Sequence, residues 1–184
     1  MKIFIGYDPR ESVSYHVAAH SILSRSSIPV DITPLALVNL TGVFSRDRNA
    51  LQSTDFSFTR FLVPDLSDFK GWSLFMDCDT LVRTDIAELL EYTQDWYKSV
   101  FVVKHDYTPK DEVKFLGSKQ TQYPKKNWSS VMLFNNTRCR GLTREYVNSA
   151  SGLDLHQFKW AKDIGELDKN WNHLVGEVPP NPEA

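Results

Sequence analysis

The segment Trp72-Ser73-Leu74-Phe75-Met76 reads as one apolar run and stops at Asp77-Cys78-Asp79. A strand without polar alternation has to be covered on both faces. That demands a sheet with helices on either side, and it constrains the whole chain to a layered α/β architecture. The remaining segments fit such layers. Residues 2–7 read as a short buried strand, and Asp8-Pro9-Arg10-Glu11 as a helix start in which Asp8 caps and Glu11 completes a capping box. Val13, Val17, Ala19 and Leu23 recur at helical spacing, and the helix is expected to stop within residues 24–27, before Pro29. Residues 30–33 alternate as a second strand, which Pro34 limits. Residues 38–53 read as loop and 55–63 as a helix, with Phe58, Phe61 and Leu62 on one face and Arg60 near its middle. Thr84-Asp85 opens a helix through Ile86, Leu89 and Leu90. Strands are expected at 99–103 and 130–134, and helices at 143–151 and in part of 154–175.

The expectation is a single domain over residues 1–184, with a mostly parallel sheet flanked by helices. In such sheets ligands sit beyond the carboxyl ends of the strands, where Asp8 and Asp77 both fall.

Composition removes several function classes. The formal net charge is −2, which argues against a nucleic-acid partner. The stretch 98–126 is locally basic, with seven Lys, and reads as a solvated loop or as a flap facing phosphate or acceptor. There is no run of eighteen apolar residues, so no transmembrane segment is expected. The chain enters a strand at once, without the pattern of a signal peptide. Cys78 and Cys139 lie far apart and make no disulfide framework, which fits a reducing cytoplasm.

The acidic tripeptide carries the chemistry. In extended chain, residues two apart project to one side, so Asp77 and Asp79 would stand together at the strand's mouth. Like charges that close require a cation or raise one pKa. Oxygen ligands of this kind suit Mg²⁺, Mn²⁺ or Ca²⁺. The plainer alternative is a strand-end turn in which Asp79 bonds its own backbone. His16 and His20 have metal-binding spacing but lack a third ligand, and read as helix-surface or packing residues. Cys78, between two acids, is a poor nucleophile.

Two families place D-x-D after an apolar strand. Haloacid-dehalogenase-type phosphatases do so near the start of the chain, usually with Gly-Thr following; here Thr80 follows directly. Over roughly residues 2–176 the chain more closely resembles the GT-A-fold sugar transferases, in the group of glycogenin and the lipopolysaccharide galactosyltransferases. Gly6-Tyr7-Asp8, the 58–64 segment with Arg60, the 74–82 segment with Asp77 and Asp79, the 127–135 segment, and Asp163-Ile164 to Trp171-Asn172 all fall in the family's order.

The resemblance implies a GT-A fold and transfer of a sugar from a nucleotide-sugar donor, UDP-linked, to a glycan, lipid-linked or protein acceptor. It implies Mn²⁺ or Mg²⁺ held by Asp77 and Asp79. Gly6, Tyr7, Asp8, Arg60, Asp77, Asn127, Ser129 and Ser130 would bind the donor, with Asp163 and Asp106 as catalytic candidates. Ile164 stands where the family has Gln. The family's later His-x-x-Gly metal segment has no counterpart before Ala184, and His173 lies too close to Trp171 to serve. The sequence therefore reads as C-terminally short. A non-catalytic nucleotide-binding fragment is the alternative, and the phosphatase a lesser one.

Overall fold

The computed structural model describes residues 1–48, 52–106 and 125–182. Most of the basic stretch, and the tip of the 38–53 loop, lie outside these residues.

Six strands form one sheet: β1 (Lys2–Gly6), β2 (Asp31–Leu35), β3 (Trp72–Met76), β4 (Val100–Val102), β5 (Val131–Asn135) and β6 (Ile164–Glu166). Their order is β2-β1-β3-β5-β4-β6. The pairs β1–β2, β1–β3 and β4–β6 are parallel, while β5 runs antiparallel to β3 and β4. The sheet is thus mostly parallel, with one reversed strand. That reversal puts the start of β5 beside the end of β3, so the loop before β5 meets Asp77. Ile3, Ile5, Leu74, Phe75, Val100, Val102, Met132 and Phe134 are all buried, so both faces of the sheet are covered, as the apolar run in β3 required.

The helices are α1 (Ser12–Leu23), α2 (Val63–Leu66), α3 (Arg144–Ser149) and α4 (Gly152–His156). Asp8 caps a 3₁₀ turn, Pro9–Glu11, that leads into α1; its side chain accepts from the Arg10 amide. The capping box does not form, because the Glu11 carboxylate turns instead to the Cys78 thiol, 3.7 Å away. The buried face of α1 is Ala18, Ser21 and Ile22, and Val13, Val17 and Leu23 point outward. The spacing thus gave the helix but not its buried face. Ser21 holds that face: its hydroxyl donates to the Ala18 carbonyl and accepts from the Val82 amide at 3.0 Å.

Three further elements depart from expectation. β2 runs through Pro34, because it is an edge strand with β1 as its neighbour and the missing N–H need not pair. The helix expected at 55–63 begins later, as a 3₁₀ turn, Thr59–Leu62, continuing into α2 with Pro64 in the first turn. Pro64 starts a helix rather than ending one. Within 154–175, the helical reading holds only for α4 and the 3₁₀ turn Lys169–Asn172, and β6 lies between them. Three residues carry no readable periodicity. β6 forms because Gly165 leaves room for the Phe101 ring, which a Cβ there would meet at 2.2 Å. Among the described residues, no helix is long and apolar enough to cross a membrane.

Candidate functional site

β3 delivers Asp77 to the carboxyl edge of the sheet. The Asp77 amide donates to the Ser130 carbonyl at 2.9 Å, one step beyond the β3–β5 ladder. The chain then turns, and the Thr80 amide lies 3.4 Å from the Asp77 carbonyl. Asp77 and Asp79 therefore converge through a turn, not through the extended pleat expected. Both line one cavity of about 770 Å³. Cys78 is buried beneath them. Burial, followed by the charges of Glu11, Asp79 and Asp77, pushes its thiol far up and makes it inert.

Asp77 is the strained member of the pair. Burial pushes its pKa up to about 7, against the lowering effect of the Arg60 charge; the Asp79 charge adds to the rise. Arg60 Nη1 lies 2.9 Å from Asp77 Oδ1, yet that oxygen is buried without an aligned hydrogen bond. Arg60 itself is only 6% exposed. Its Nη1 donates to the Ser129 carbonyl at 2.8 Å and lies 3.4 Å from the Ser129 hydroxyl, while Nε donates to the Phe56 carbonyl. The guanidinium sits 5.0 Å from the Phe75 ring centre and 5.4 Å from that of Phe56. Arg60, expected to bind the donor, is turned inward rather than held out as an open fork. It is a buried cation behind the carboxylates.

The other expected residues divide. Asn127 and Ser130 line the cavity beside Asp77 and Asp79. Asn127 holds a left-handed backbone (φ 62°), which Asn tolerates better than most residues. Ser129 is buried against Arg60, and its hydroxyl is 3.0 Å from His156 Nδ1. Gly6, Tyr7 and Asp8 lie outside the cavity lining. The space over Gly6 is filled by the Phe56 ring, which a Cβ would meet at 2.5 Å. Tyr7 packs edge-on against Tyr15. Asp8 is 1% exposed and engaged by Arg10 Nε and Nη2 and by the amides of Arg10 and Asp55. These bonds, led by the Arg10 side chain, lower its pKa to about 2. A carboxylate so occupied serves as a fastener and not as an acceptor for a nucleoside.

Asp106 stands exposed past the end of β4, at the same edge of the sheet but off the cavity wall. Asp163 is misplaced. It precedes β6, and its carbonyl accepts from the Ser99 amide at the start of β4. Because β4 and β6 are parallel, Asp163 lies at the opposite end of the sheet from Asp77. The expectation that it sits beneath the reacting carbon does not hold.

The 3₁₀ turn after β6 adds Asn170, Trp171 and Asn172, followed by His173, to the lining of the same cavity. The segment 174–182 continues the wall, tied by Arg83 to the Pro182 carbonyl and by Asn181 to Asn170. The cluster Asn170-Trp171-Asn172-His173 was the available sequence signal, but without β6 nothing placed it at the site. Among the described residues, no group of three or more His, Cys, Asp or Glu gathers closely enough to hold a metal. Hard-oxygen donors from Asp77 and Asp79 in one cavity do fit a divalent ion whose remaining positions a substrate phosphate fills.

No family model matches the chain. Protein CDI of Arabidopsis thaliana is 49% identical over 181 residues, covering 95% of this chain and 70% of that protein. Among solved structures, the bifunctional glycosyltransferase WbbM aligns with a TM-score of 0.63 at 17% identity, over 93% of this chain and 39% of WbbM. The glycosyltransferase GlyE of Streptococcus pneumoniae aligns with a TM-score of 0.58 at 15% identity, over 93% of this chain and 46% of GlyE. The chain thus spans less than half the length of either structure, and it has their GT-A-like fold.

Proposed function

The chain belongs to the family of Protein CDI of Arabidopsis thaliana, and we propose that it is a metal-dependent glycosyltransferase taking a UDP-linked sugar. The observation that carries this reading is the convergence of Asp77 and Asp79 on one cavity, at the carboxyl edge of a glycosyltransferase fold. We further assign it to the D-x-D type exemplified by glycogenin and the lipopolysaccharide galactosyltransferases.

Asp77 and Asp79 would hold the Mn²⁺ or Mg²⁺, with Arg60 bracing Asp77 from behind. The ion, when bound, neutralises charge on the departing diphosphate. Asn127, Ser130 and Asn172, which line the cavity together, present amide and hydroxyl groups to sugar hydroxyls. Trp171 offers an apolar face to the ring. The acceptor is a glycan, a lipid-linked sugar or a protein side chain. The free thiols Cys78 and Cys139 suit a cytoplasmic setting.

The test is thermal unfolding with UDP, with Mn²⁺ and with both. A ligand at a hundred times its Kd adds about 2.7 kcal/mol to the native state. A shift that needs both ligands and is absent in Asp79→Asn supports the reading, and UDP-sugar turnover then completes it. The competing reading is a nucleotide-binding domain without transfer, favoured by the Arg60–Asp77 pairing, which already occupies one carboxylate. It predicts the joint shift without turnover. No joint shift removes the metal–nucleotide site altogether.

A further inference from the structure

One wall of the cavity depends on a histidine that does not line it. Asn172 Nδ2 lies 3.2 Å from the Asn127 carbonyl and 3.0 Å from His105 Nε2. A carbonyl oxygen can only accept, so the Asn172 atom facing it is the amide nitrogen; a flipped amide would set two oxygens against each other. With one N–H spent on Asn127, the second points at His105. The imidazole Nε2 must then be the acceptor, and its proton resides on Nδ1. The His105 main chain is fixed too: its carbonyl accepts from the Trp128 indole at 3.0 Å, and its amide donates to the Val103 carbonyl.

We propose that His105 is a positioning residue, whose Nε2 accepts from Asn172 and thereby holds Asn172 and Asn127 together as one wall of the cavity. The two amides come from unconnected segments, the turn after β6 and the loop before β5. His105, at the end of β4, is the third point that joins them. Asn172 is 7% exposed, so an amide hydrogen deprived of its acceptor there is not freely taken up by solvent. Asn127 and Asn172 both line the cavity that Asp77 and Asp79 line, and their role in sugar recognition rests on the donor reading above.

Burial also holds the pKa of His105 below the ordinary imidazole value, which favours the neutral, accepting form. The ionisable groups on the surrounding elements are Lys104, paired with Glu166 at 3.6 Å, and Asp106 on its own strand end. Lys125 and Lys126 come from the loop before β5, and Asp168, Lys169 and His173 flank or belong to the turn after β6. Acidification adds a proton at Nε2, sets two donors face to face and releases Asn172.

The tautomer can be read without any ligand. Imidazole nitrogen resonances of the full chain labelled at histidine, with His105→Gln identifying the signal, should show His105 protonated on Nδ1 alone at pH 7.5. The Asn172 side-chain amide resonances should move as His105 titrates. They should stay near their wild-type positions and lose that pH response in His105→Gln, whose oxygen replaces the acceptor. They should shift at all pH values in His105→Leu. A proton on Nε2 at pH 7.5, or Asn172 resonances unmoved in His105→Leu, overturns the proposal. In a second arm, UDP with Mn²⁺ should bind about tenfold more weakly to His105→Leu, the cost of about one hydrogen bond, and within about twofold of wild type to His105→Gln. Equal weakening in both variants also overturns it. Failure of wild type to bind UDP with Mn²⁺ instead sinks the donor reading, and the resonances decide the His105 assignment on their own.

Discussion

β1 and β3 are parallel neighbours, and each runs into an aspartate at the same edge of the sheet. The two carboxylates have opposite fates. Asp8 is met by both ends of the Arg10 side chain and by two backbone amides, and its pKa falls to about 2. Asp77 is met by Arg60 without an aligned hydrogen bond and by the charge of Asp79, and its pKa rises to about 7. A carboxylate whose lone pairs are all answered closes a loop. One left in an unfavourable setting beside a cavity is available for chemistry.

The contrast can be broken at four points. The largest effect is expected for Arg60→Ala, which leaves Asp77 buried without its cation and should cost about 3 kcal/mol of stability in denaturant unfolding; a change under about 1 kcal/mol would mean that Arg60 does not brace Asp77. Next is Asp79→Asn, which should abolish the joint UDP and Mn²⁺ shift of about 2.7 kcal/mol while leaving unliganded stability within about 0.5 kcal/mol. An unchanged shift would move the metal elsewhere.

Asp8→Asn should cost about 2 kcal/mol at pH 7 and leave ligand shifts intact. The sign follows from the lowered pKa. Between pH 4 and pH 2 the unfolded chain binds the proton first, so this stabilisation is complete above about pH 4 and is lost as pH falls toward 2. Wild type should lose stability across that window more steeply than Asp8→Asn; parallel acid profiles would refute the fastener role. The smallest effect is expected at Asp163→Asn, within about 0.5 kcal/mol and with an unchanged joint shift. Loss of the ligand shift there would contradict its placement at the far end of the sheet.

The elements legible from sequence were those whose signal is local and strong. β3 announced itself by burial on both faces, and Asp85 caps the segment that follows it, accepting from the Ala87 amide, although that segment, Ile86–Gln94, is a 3₁₀ helix with Leu90 exposed. The helical spacing of Val13, Val17, Ala19 and Leu23 gave α1 but not its buried face, since Ser21, which no apolar scale picks out, is the residue that bonds across the interface. β6 was invisible because three residues hold no period, and without it Asp163 looked helical and the Asn-Trp-Asn cluster had no address. Trp160 packs in the core against Phe61, Phe134 and Phe158, whereas Trp171 lines the cavity.

The sequence by itself determined the layered α/β class and singled out Asp77 and Asp79, because apolar runs and adjacent charges act over a few residues and leave their mark in order. Which aspartate would be satisfied and which left in tension was decided only by the tertiary structure. Arg10 reaches Asp8 within one turn, but Asp77 draws Arg60, Ser130, Asn172 and Glu11 into its surroundings from four separate segments. Electrostatic and hydrogen-bonding environments depend on distance through space, and no local pattern in the chain records that distance.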